Sequence, residues 1–444
     1  MTLAGHLEAS HPLSPRSAFR QLNRVAQQAV AVEPASLWEQ DNLLLSPALR
    51  RYRTRMRDYA RDVIAPHALA IDREPSGPAL SALASRFARD GLLTDFLPAP
   101  VGTLPLSVVS QAPLAMAIKL EEMAVACSGI ALIVGAHGLG MLPLMMSGDV
   151  GLTARVLLPA FLRTRRGDPV IFAYALTEPT GGSDVEDSLA ASHYTPRTVA
   201  TRTGGGWLLN GHKQFISGGD HATHVAVFAA LDGEDMQSTT CFLVDRAARG
   251  YTCVRTELKM GQRASHAAEL YFDDLFVPDD RVVGKLRQGW AINRAILNVS
   301  RVPVAALALG IARGTMERTI ALACMTKVGN RRLIDRQDAQ LAIAQMMVDV
   351  SAMRAVVWQA AGQSRSLQTR SSIAKVFCSD TAVKVCQDAL DLLGEAGLAA
   401  DEGIEKGFRD ARLAQIYEGT NQINRLAIIE DQMEWLQSMT ADGQ

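Results

Sequence analysis

Apolar residues return every three or four positions from Ala48 and Leu49 through Tyr52, Tyr59 and Val63 to Ile64, which predicts a helix that Pro66 closes. A second helical stretch is expected over Leu114–Ala126, with Glu121 and Glu122 on its polar face. Ala131 to Met146 is interrupted by Gly135, His137, Gly138, Gly140 and Pro143, so it reads as a buried helix and turn. No apolar run is expected to be long enough to span a bilayer. From about Pro169 to Val277 the pattern changes to short strands. Val170–Leu176 is a compact apolar run, and Val199–Arg202 and Trp207–Asn210 flank Thr203-Gly204-Gly205-Gly206, a hairpin signal. His224–Leu231, Thr239–Asp245, Tyr251–Glu257 and Glu269–Val277 follow at the spacing of a small β-barrel or sandwich. From about Gln288 the helical pattern returns. Leu341, Ala344, Val348, Ala352 and Ala355 mark one helix; Ala374, Cys378, Ala382, Val385, Ala389 and Leu392 mark another; a last one begins near Thr420. Long antiparallel helices of this kind make a bundle.

The order is helices, β, helices: an α+β layout with a β domain inserted between helical ones. The boundaries fall at 1–45 for an N-terminal extension, 46–168 for a helical domain, 169–285 for the β domain and 286–444 for a helical bundle. A chain of 444 residues exceeds one ordinary core, in keeping with this division. No GxGxxG follows a strand and no P-loop is present, so a nucleotide cofactor would not bind by the Rossmann route. Hydrophobic residues at 48% and charged residues at 20% exclude wholesale disorder, and a net charge of -1 leaves no electrostatic footprint for nucleic acid or an anionic membrane. A small molecule or a protein partner fits better. The six cysteines form no CxxC pair and read as buried reduced thiols. Arg16, Arg20 and Arg24 recur at helical spacing in an acid-poor segment, which suits a mitochondrial transit peptide or a bacterial extension equally. The expected location is cytoplasmic in a bacterium, or the mitochondrial matrix in a eukaryote.

Four stretches can carry chemistry. In Ile416-Tyr417-Glu418-Gly419-Thr420-Asn421-Gln422-Ile423, a lone glutamate sits between an aromatic residue and a glycine, one step before a helix start. A carboxylate held in such an apolar place can remove a proton from carbon. In Phe172-Ala173-Tyr174-Ala175-Leu176-Thr177-Glu178-Pro179-Thr180-Gly181-Gly182-Ser183-Asp184, a strand runs into a turn rich in glycine and hydroxyls. Thr177 can donate to an electron-rich ring, and Gly181, Gly182 and Ser183 allow close approach of a phosphate. In Asn210–Gly219, Phe215 and Ser217 share one strand face by period-two alternation and suit the edge of a flat heterocycle. The fourth comprises Lys259–Ser265, Phe272-Asp273-Asp274, and Arg301 after Ser300. Each alone reads equally well as an ordinary turn, core or surface feature.

Together, in this order and spacing, they resemble the acyl-CoA dehydrogenase family of flavoproteins, over about residues 46–436. The resemblance implies an N-terminal helical domain, a middle β domain and a C-terminal four-helix bundle, with FAD between the last two. It implies flavin contacts from Tyr174, Leu176, Thr177, Phe215 and Ser217, and contacts further from the ring from Thr420 and Gln422. Ser183 and Arg301 would belong to the CoA side, with Tyr417 and Gly419 beside the substrate. Glu418 would be the base, taking the α-proton of an acyl-CoA thioester while hydride passes from the β-carbon to the flavin. An electron-transferring flavoprotein would take the electrons, and a homotetramer or homodimer is expected. Tyr417, Ile416 and the acyl chain would dry the glutamate and raise its pKa, against the positive end of the helix after it.

The chain also departs from the family pattern. Phe215 and Ser217 stand where tryptophan and threonine are usual, and Ser300 stands where some relatives place their base. The usual Arg-x-Gln-Phe-Gly-x-Pro segment is replaced by Val328-Gly329-Asn330-Arg331-Arg332-Leu333-Ile334-Asp335-Arg336. Asp391 and Glu395 appear where a glutamine and a glycine are common, and two carboxylates near the distal FAD phosphates would be repulsive unless Arg331 or Arg332 compensates. Two other readings follow: a flavin-dependent oxidase or monooxygenase on this fold, and a catalytically impaired paralogue with weakened FAD binding. The carrier, CoA or acyl carrier protein, is left open by the sequence. Met141, Leu142, Met145 and Met146 are either core or the wall of an acyl pocket.

Overall fold

Ser46 caps the first long helix, its side chain accepting from the Leu49 amide, and Pro47 occupies the first turn. The computed structural model describes residues 18–29, 35–186, 193–363 and 368–441, so Arg16 lies outside the described residues. The N-terminal part comprises α1 (Arg24–Ala29), α2 (Leu37–Asn42), α3 (Pro47–Tyr59), α4 (Ala68–Arg73), α5 (Pro78–Arg89), α6 (Ala112–Met146) and α7 (Val150–Arg165). Pro66 does not end the helical path. The backbone widens to a π-turn over Ala60–Ile64, tightens over Ala65–His67 and resumes as α4, so the lost proline donor falls in the first turn of the tightened segment.

The two predicted stretches around residues 114–146 are one long helix, α6, broken only by extended backbone at Cys127. Its glycines are contact points rather than stops: a Cβ on Gly138 would lie 2.2 Å from the Phe96 ring, and one on Gly140 would lie 2.5 Å from the Phe172 backbone. His137 is fully satisfied between the Leu93 carbonyl and the Phe172 amide. The expectation that no segment could span a bilayer is therefore corrected. By length and composition Leu106–Met146, Gly289–Met325 and Gln337–Ala361 could, with 61%, 78% and 33% of their most apolar windows buried inside the protein.

The middle part is a sheet of eight strands: β1 (Phe172–Ala175), β2 (Val199–Thr203), β3 (Gly206–Ser217), β4 (His224–Leu231), β5 (Thr240–Asp245), β6 (Tyr251–Thr256), β7 (Ala267–Pro278) and β8 (Val282–Val283). The predicted hairpin is present, with Thr203 opposite Gly206 and Gly204-Gly205 as its two-residue loop. The strand order is β6-β7-β3-β2-β4-β5-β8, with β1 parallel to β4.

The C-terminal part comprises α8 (Gly289–Met325), α9 (Gln337–Ala361), α10 (Gln368–Leu393), α11 (Glu395–Leu398), α12 (Ile404–Ala414) and α13 (Asn421–Ala441). The apolar stripe on α10 is buried as expected, but that on α9 is not: Leu341 and Val348 are exposed, and Ile343, Met346, Val350, Met353 and Val357 face inward. The period is right and the face is wrong, because α9 carries apolar residues on both sides.

Glu121 and Glu122 also reverse their expected exposure. Both are buried in a cluster with Arg53, Arg313, Arg354 and Asp41. Trp38 Nε1 donates to Glu122 at 2.9 Å, and the Arg53 guanidinium lies 4.8 Å from the Trp38 ring centroid. Within residues 37–45, which the sequence set apart with the extension, one side thus packs inward: Asp41 is buried, Leu45 is core and Leu37 lies against it, while Leu43 and Leu44 stay exposed. A second junction centres on buried Asp410, which accepts from the Gln262 amide at 2.5 Å, from Ser128 Oγ at 2.7 Å and from Lys406. It ties together the kink of α6, the loop before β7 and α12.

Candidate active site

A cavity of about 1060 Å³ opens where the three parts meet. The N-terminal helices give it Leu132, Gly135 and Leu139; the sheet gives Tyr174, Leu176, Thr177, Phe215 and Ser217; the bundle gives Ser300, Tyr417, Glu418, Gly419 and Thr420.

Glu418 sits on the turn between α12 and α13. Its φ is 56° and that of Gly419 is 77°, so the chain reverses through two left-handed residues. For glutamate this conformation costs about 1–2 kcal/mol, and buried donors hold it there. Asn424 Nδ2 donates to the carbonyls of Glu418, Gly419 and Thr420 at 3.2, 2.9 and 3.1 Å. Lys375 Nζ donates to the Gly419 carbonyl at 2.7 Å and to Asn421 Oδ1 at 2.8 Å. The amide of Glu418 has no hydrogen-bond partner among the described residues.

Burial raises the Glu418 carboxyl above the usual range, against the lowering effects of the Ser300 hydroxyl and the charges of Arg301 and Lys375. Drying outweighs these three neighbours. Ser300 Oγ donates to Glu418 Oε2 at 2.5 Å, so the residue at the alternative base position is a hydrogen-bond partner of the carboxylate.

Also lining the cavity, the turn after β1 is anchored by Glu178, which the sequence reading passed over. Its carboxylate accepts from Lys213 Nζ at 2.9 Å, Tyr194 Oη at 2.8 Å and the amides of Arg197 and Thr198 at 2.7 and 2.9 Å. Burial pushes it up, but the Lys213 ammonium and these donors bring it down to about 2. Lys213 also donates to the Leu176 carbonyl at 2.8 Å, and the Gln214 amide donates to the Thr177 carbonyl at 2.9 Å. These bonds place Thr177 on the wall. Phe215 does not follow strict alternation with Ser217: a register shift between Lys213 and Ile216 gives Phe215 a φ of 62° and leaves it exposed beside the cavity. Both still line it.

Ser183 lines the cavity and accepts from the Thr420 amide at 3.2 Å, joining the two glycine-rich turns. Tyr174 lines it too, its hydroxyl on Asn293 Oδ1 at 2.5 Å. Two predicted residues fall elsewhere. Arg301 is 1% exposed, donates to Ser372 inside the bundle and is not part of the cavity wall. Gln422 is exposed at the start of α13 and is not part of the cavity wall, because the first turn of that helix points it outward. The four apolar residues divide: Leu142 and Met145 line the cavity, Met141 is core and Met146 is partly exposed.

The atypical segment forms a small hairpin, β9 (Lys327–Val328) with β10 (Arg331–Arg332). Arg332 pairs with Asp335 at 2.8 Å, and Asp391 accepts from Gln387 at 2.8 Å. The anchors Lys213, Lys375 and Asn424 carried no signal in the sequence beyond a polar residue at an apolar-looking position.

Three family models match, described as the N-terminal, middle and C-terminal domains of acyl-CoA dehydrogenase, over residues 46–162, 173–275 and 287–433. The chain is 34% identical over 378 residues to the cyclohex-1-ene-1-carbonyl-CoA dehydrogenase of Geobacter metallireducens, covering 84% of this chain and 94% of that one. It is 32% identical over 381 residues to the cyclohexane-1-carbonyl-CoA dehydrogenase of the same organism, covering 85% and 95%. Among solved structures, butyryl-CoA dehydrogenase from Megasphaera elsdenii matches with a TM-score of 0.79 at 26% identity, covering 88% of this chain and 99% of that one. The fold, the helical–sheet–helical order and these matches agree: the chain belongs to the acyl-CoA dehydrogenase family of FAD-dependent oxidoreductases.

Proposed function

We propose that this chain removes two hydrogens from the α,β-bond of an acyl-CoA thioester, with Glu418 as the base. The observation that supports this most is the placement of Glu418: a dried carboxyl on the cavity wall, on a turn held by Asn424 and Lys375, in the same cavity that Thr177 and Ser217 line. The donor set suits FAD. The hydroxyls of Thr177 and Ser217 line the cavity with no protein partner among the described residues, and the Gly181–Gly182 turn brings backbone to its edge. When bound there, FAD would accept the hydride from the β-carbon.

The residues of the chain do the rest. The raised pKa lets the Glu418 carboxylate take a proton from a weak carbon acid near neutral pH. The unpartnered Glu418 amide is available to the thioester carbonyl, where negative charge develops as the α-proton leaves. Ser300 holds one carboxylate oxygen, leaving the other to face the substrate. Leu132, Leu139 and Leu142 exclude water from the acyl group.

The family relationship supports an electron-transferring flavoprotein as acceptor, and the exposed apolar side of α9 supports a homo-oligomer, dimer or tetramer, built through the bundle. Flavin-loaded protein mixed anaerobically with cyclohexane-1-carbonyl-CoA and butyryl-CoA should lose its oxidised flavin absorbance. The Glu418→Gln variant should keep the flavin and lose the bleaching. Bleaching at parental rate in that variant would place the base elsewhere.

A further inference from the structure

Asp220, His221 and His266 converge at the junction of the sheet with the N-terminal helices, outside the cavity wall. Asp220 and His221 sit on the turn after β3, and His266 stands just before β7. The turn is fixed by its neighbours. The Gly218 amide donates to the His266 carbonyl at 3.0 Å, Tyr251 Oη to the Gly219 carbonyl at 2.7 Å, and Arg246 to the Asp220 carbonyl at 3.0 Å. The three side chains are partly open to water, His221 the most. The reaction proposed above uses none of them.

Asp220 Oδ1 lies 2.9 Å from His221 Nδ1, and Asp220 Oδ2 lies 2.7 Å from His266 Nδ1. On its other side, His266 Nε2 lies 3.0 Å from the Pro75 carbonyl, in the loop between α4 and α5. A carbonyl only accepts, so Nε2 carries the hydrogen of the neutral ring. The Nδ1 lone pair then points at a carboxylate oxygen, and a positive centre must lie between the two. A second proton on the ring would serve that one pair of atoms. A metal ion would serve both rings and the carboxylate at once, with the Nε2–H on a backbone carbonyl as the outer support that metal-bound histidine ordinarily has. The three donor atoms lie within 4.8 Å of one another, and the rings stand edge to face with centroids 5.8 Å apart. Tetrahedral zinc asks for about 3.3 Å between donors, which small side-chain rotations reach; water would fill the fourth position from the open side. We infer that Asp220, His221 and His266 form a site for a divalent ion of the zinc type, built from two imidazoles and one carboxylate. The neighbouring cations Arg246 and Lys259 oppose the ion and set its affinity on the order of micromolar rather than tighter. The inference does not depend on the acyl-CoA reading of the cavity.

The test is calorimetric titration of zinc chloride into the full, tag-free, flavin-loaded chain after treatment with a chelator, at pH 8, where protons compete least for the ligands. One ion should bind per chain. Asp220→Asn, His221→Ala and His266→Gln should each lower the affinity by more than the roughly 10–100-fold that loss of an outer support costs. Cobalt(II) in place of zinc should give the strong visible absorption of a four-coordinate ion, and that absorption should be lost in His221→Ala. If the other two variants do not fold, His221→Ala decides, because His221 is the most exposed of the three. Absence of saturable binding means that a proton alone closes the cluster, and overturns the inference. Binding of equal strength in His221→Ala places the ion on other side chains and overturns it as well.

Discussion

Glu418 shows how one carboxyl is tuned by opposing neighbours. Burial lifts its pKa, and the Ser300 hydroxyl, Arg301 and Lys375 pull it back. Removing the hydroxyl in Ser300→Ala should therefore move the acid limb of the kcat/KM–pH profile to higher pH, read from steady-state rates across pH 5–9; an unmoved limb would detach Ser300 from the titration. Replacing the base in Glu418→Gln should lower the dehydrogenation rate by about 10²–10⁴-fold. It should also affect stability in the opposite sense. A carboxyl whose folded pKa lies above its unfolded value of 4.5 binds its proton more tightly in the fold, so ionising it costs stability as pH rises through that window. The Gln variant escapes this cost and should melt higher than the parent at pH 8. The difference should vanish below pH 4.5, a comparison that differential scanning calorimetry makes directly. The motif around Glu418 was legible in the sequence; its left-handed backbone was not, since the residues that hold it, Lys375 and Asn424, bond to carbonyls and leave no pattern.

At the scale of elements, the strands and their hairpin follow the sequence closely, because alternation and a Gly-Gly loop are local signals. Helix existence was equally legible, but helix facing was not. The period of α9 reveals a stripe without saying which stripe the bundle covers, and Leu341 and Val348 fell on the outer one. The glycines of α6 misled in the other direction. They look like breaks, yet Gly140 is where α6 lies against β1, the strand that leads to Thr177. Gly140→Ala would drive a methyl into the Phe172 backbone and should cost about 1–3 kcal/mol by denaturant unfolding. Because β1 must shift to admit it, flavin affinity should fall as well, whereas a purely local clash would leave affinity untouched. Glu178→Gln should act on the same turn from its other side. It leaves the Lys213 ammonium buried without its counter-charge, and should weaken flavin retention on gel filtration more than it lowers the melting temperature.

At the scale of the molecule, the two helical parts are joined by charge as much as by hydrocarbon. Arg53, Arg313 and Arg354 face Asp41, Glu121 and Glu122 in a cluster sealed from water. Sequence reading put the glutamates on a solvent face because their partners lie 69 and 191 positions away for Glu122 and 233 away for Glu121. Burial pushes Glu121 up, and Arg354, Arg313 and Arg53 overcome it, holding its pKa at about 2. A depressed carboxyl contributes stability that is present above the unfolded pKa of 4.5 and lost as pH falls toward 2. Acid unfolding should thus separate the helical parts together, followed by tryptophan fluorescence from Trp38 and Trp358, whose rings lie 4.8 and 5.5 Å from the Arg53 guanidinium. Glu121→Gln should cost about 3–5 kcal/mol at neutral pH, since it strands buried arginines.

The same cluster restricts how this chain can change over generations. Three buried cations face three buried anions, with the half-exposed Glu317 at the edge beside Arg313, so removing the charge at any of the six buried positions leaves an unmatched charge in a dry interior. Two such changes made together, one of each sign, restore neutrality and leave only a packing problem. Accepted variation here should therefore arrive in compensating pairs of opposite sign, many of them far apart in the sequence, a covariation set by electroneutrality rather than by catalysis.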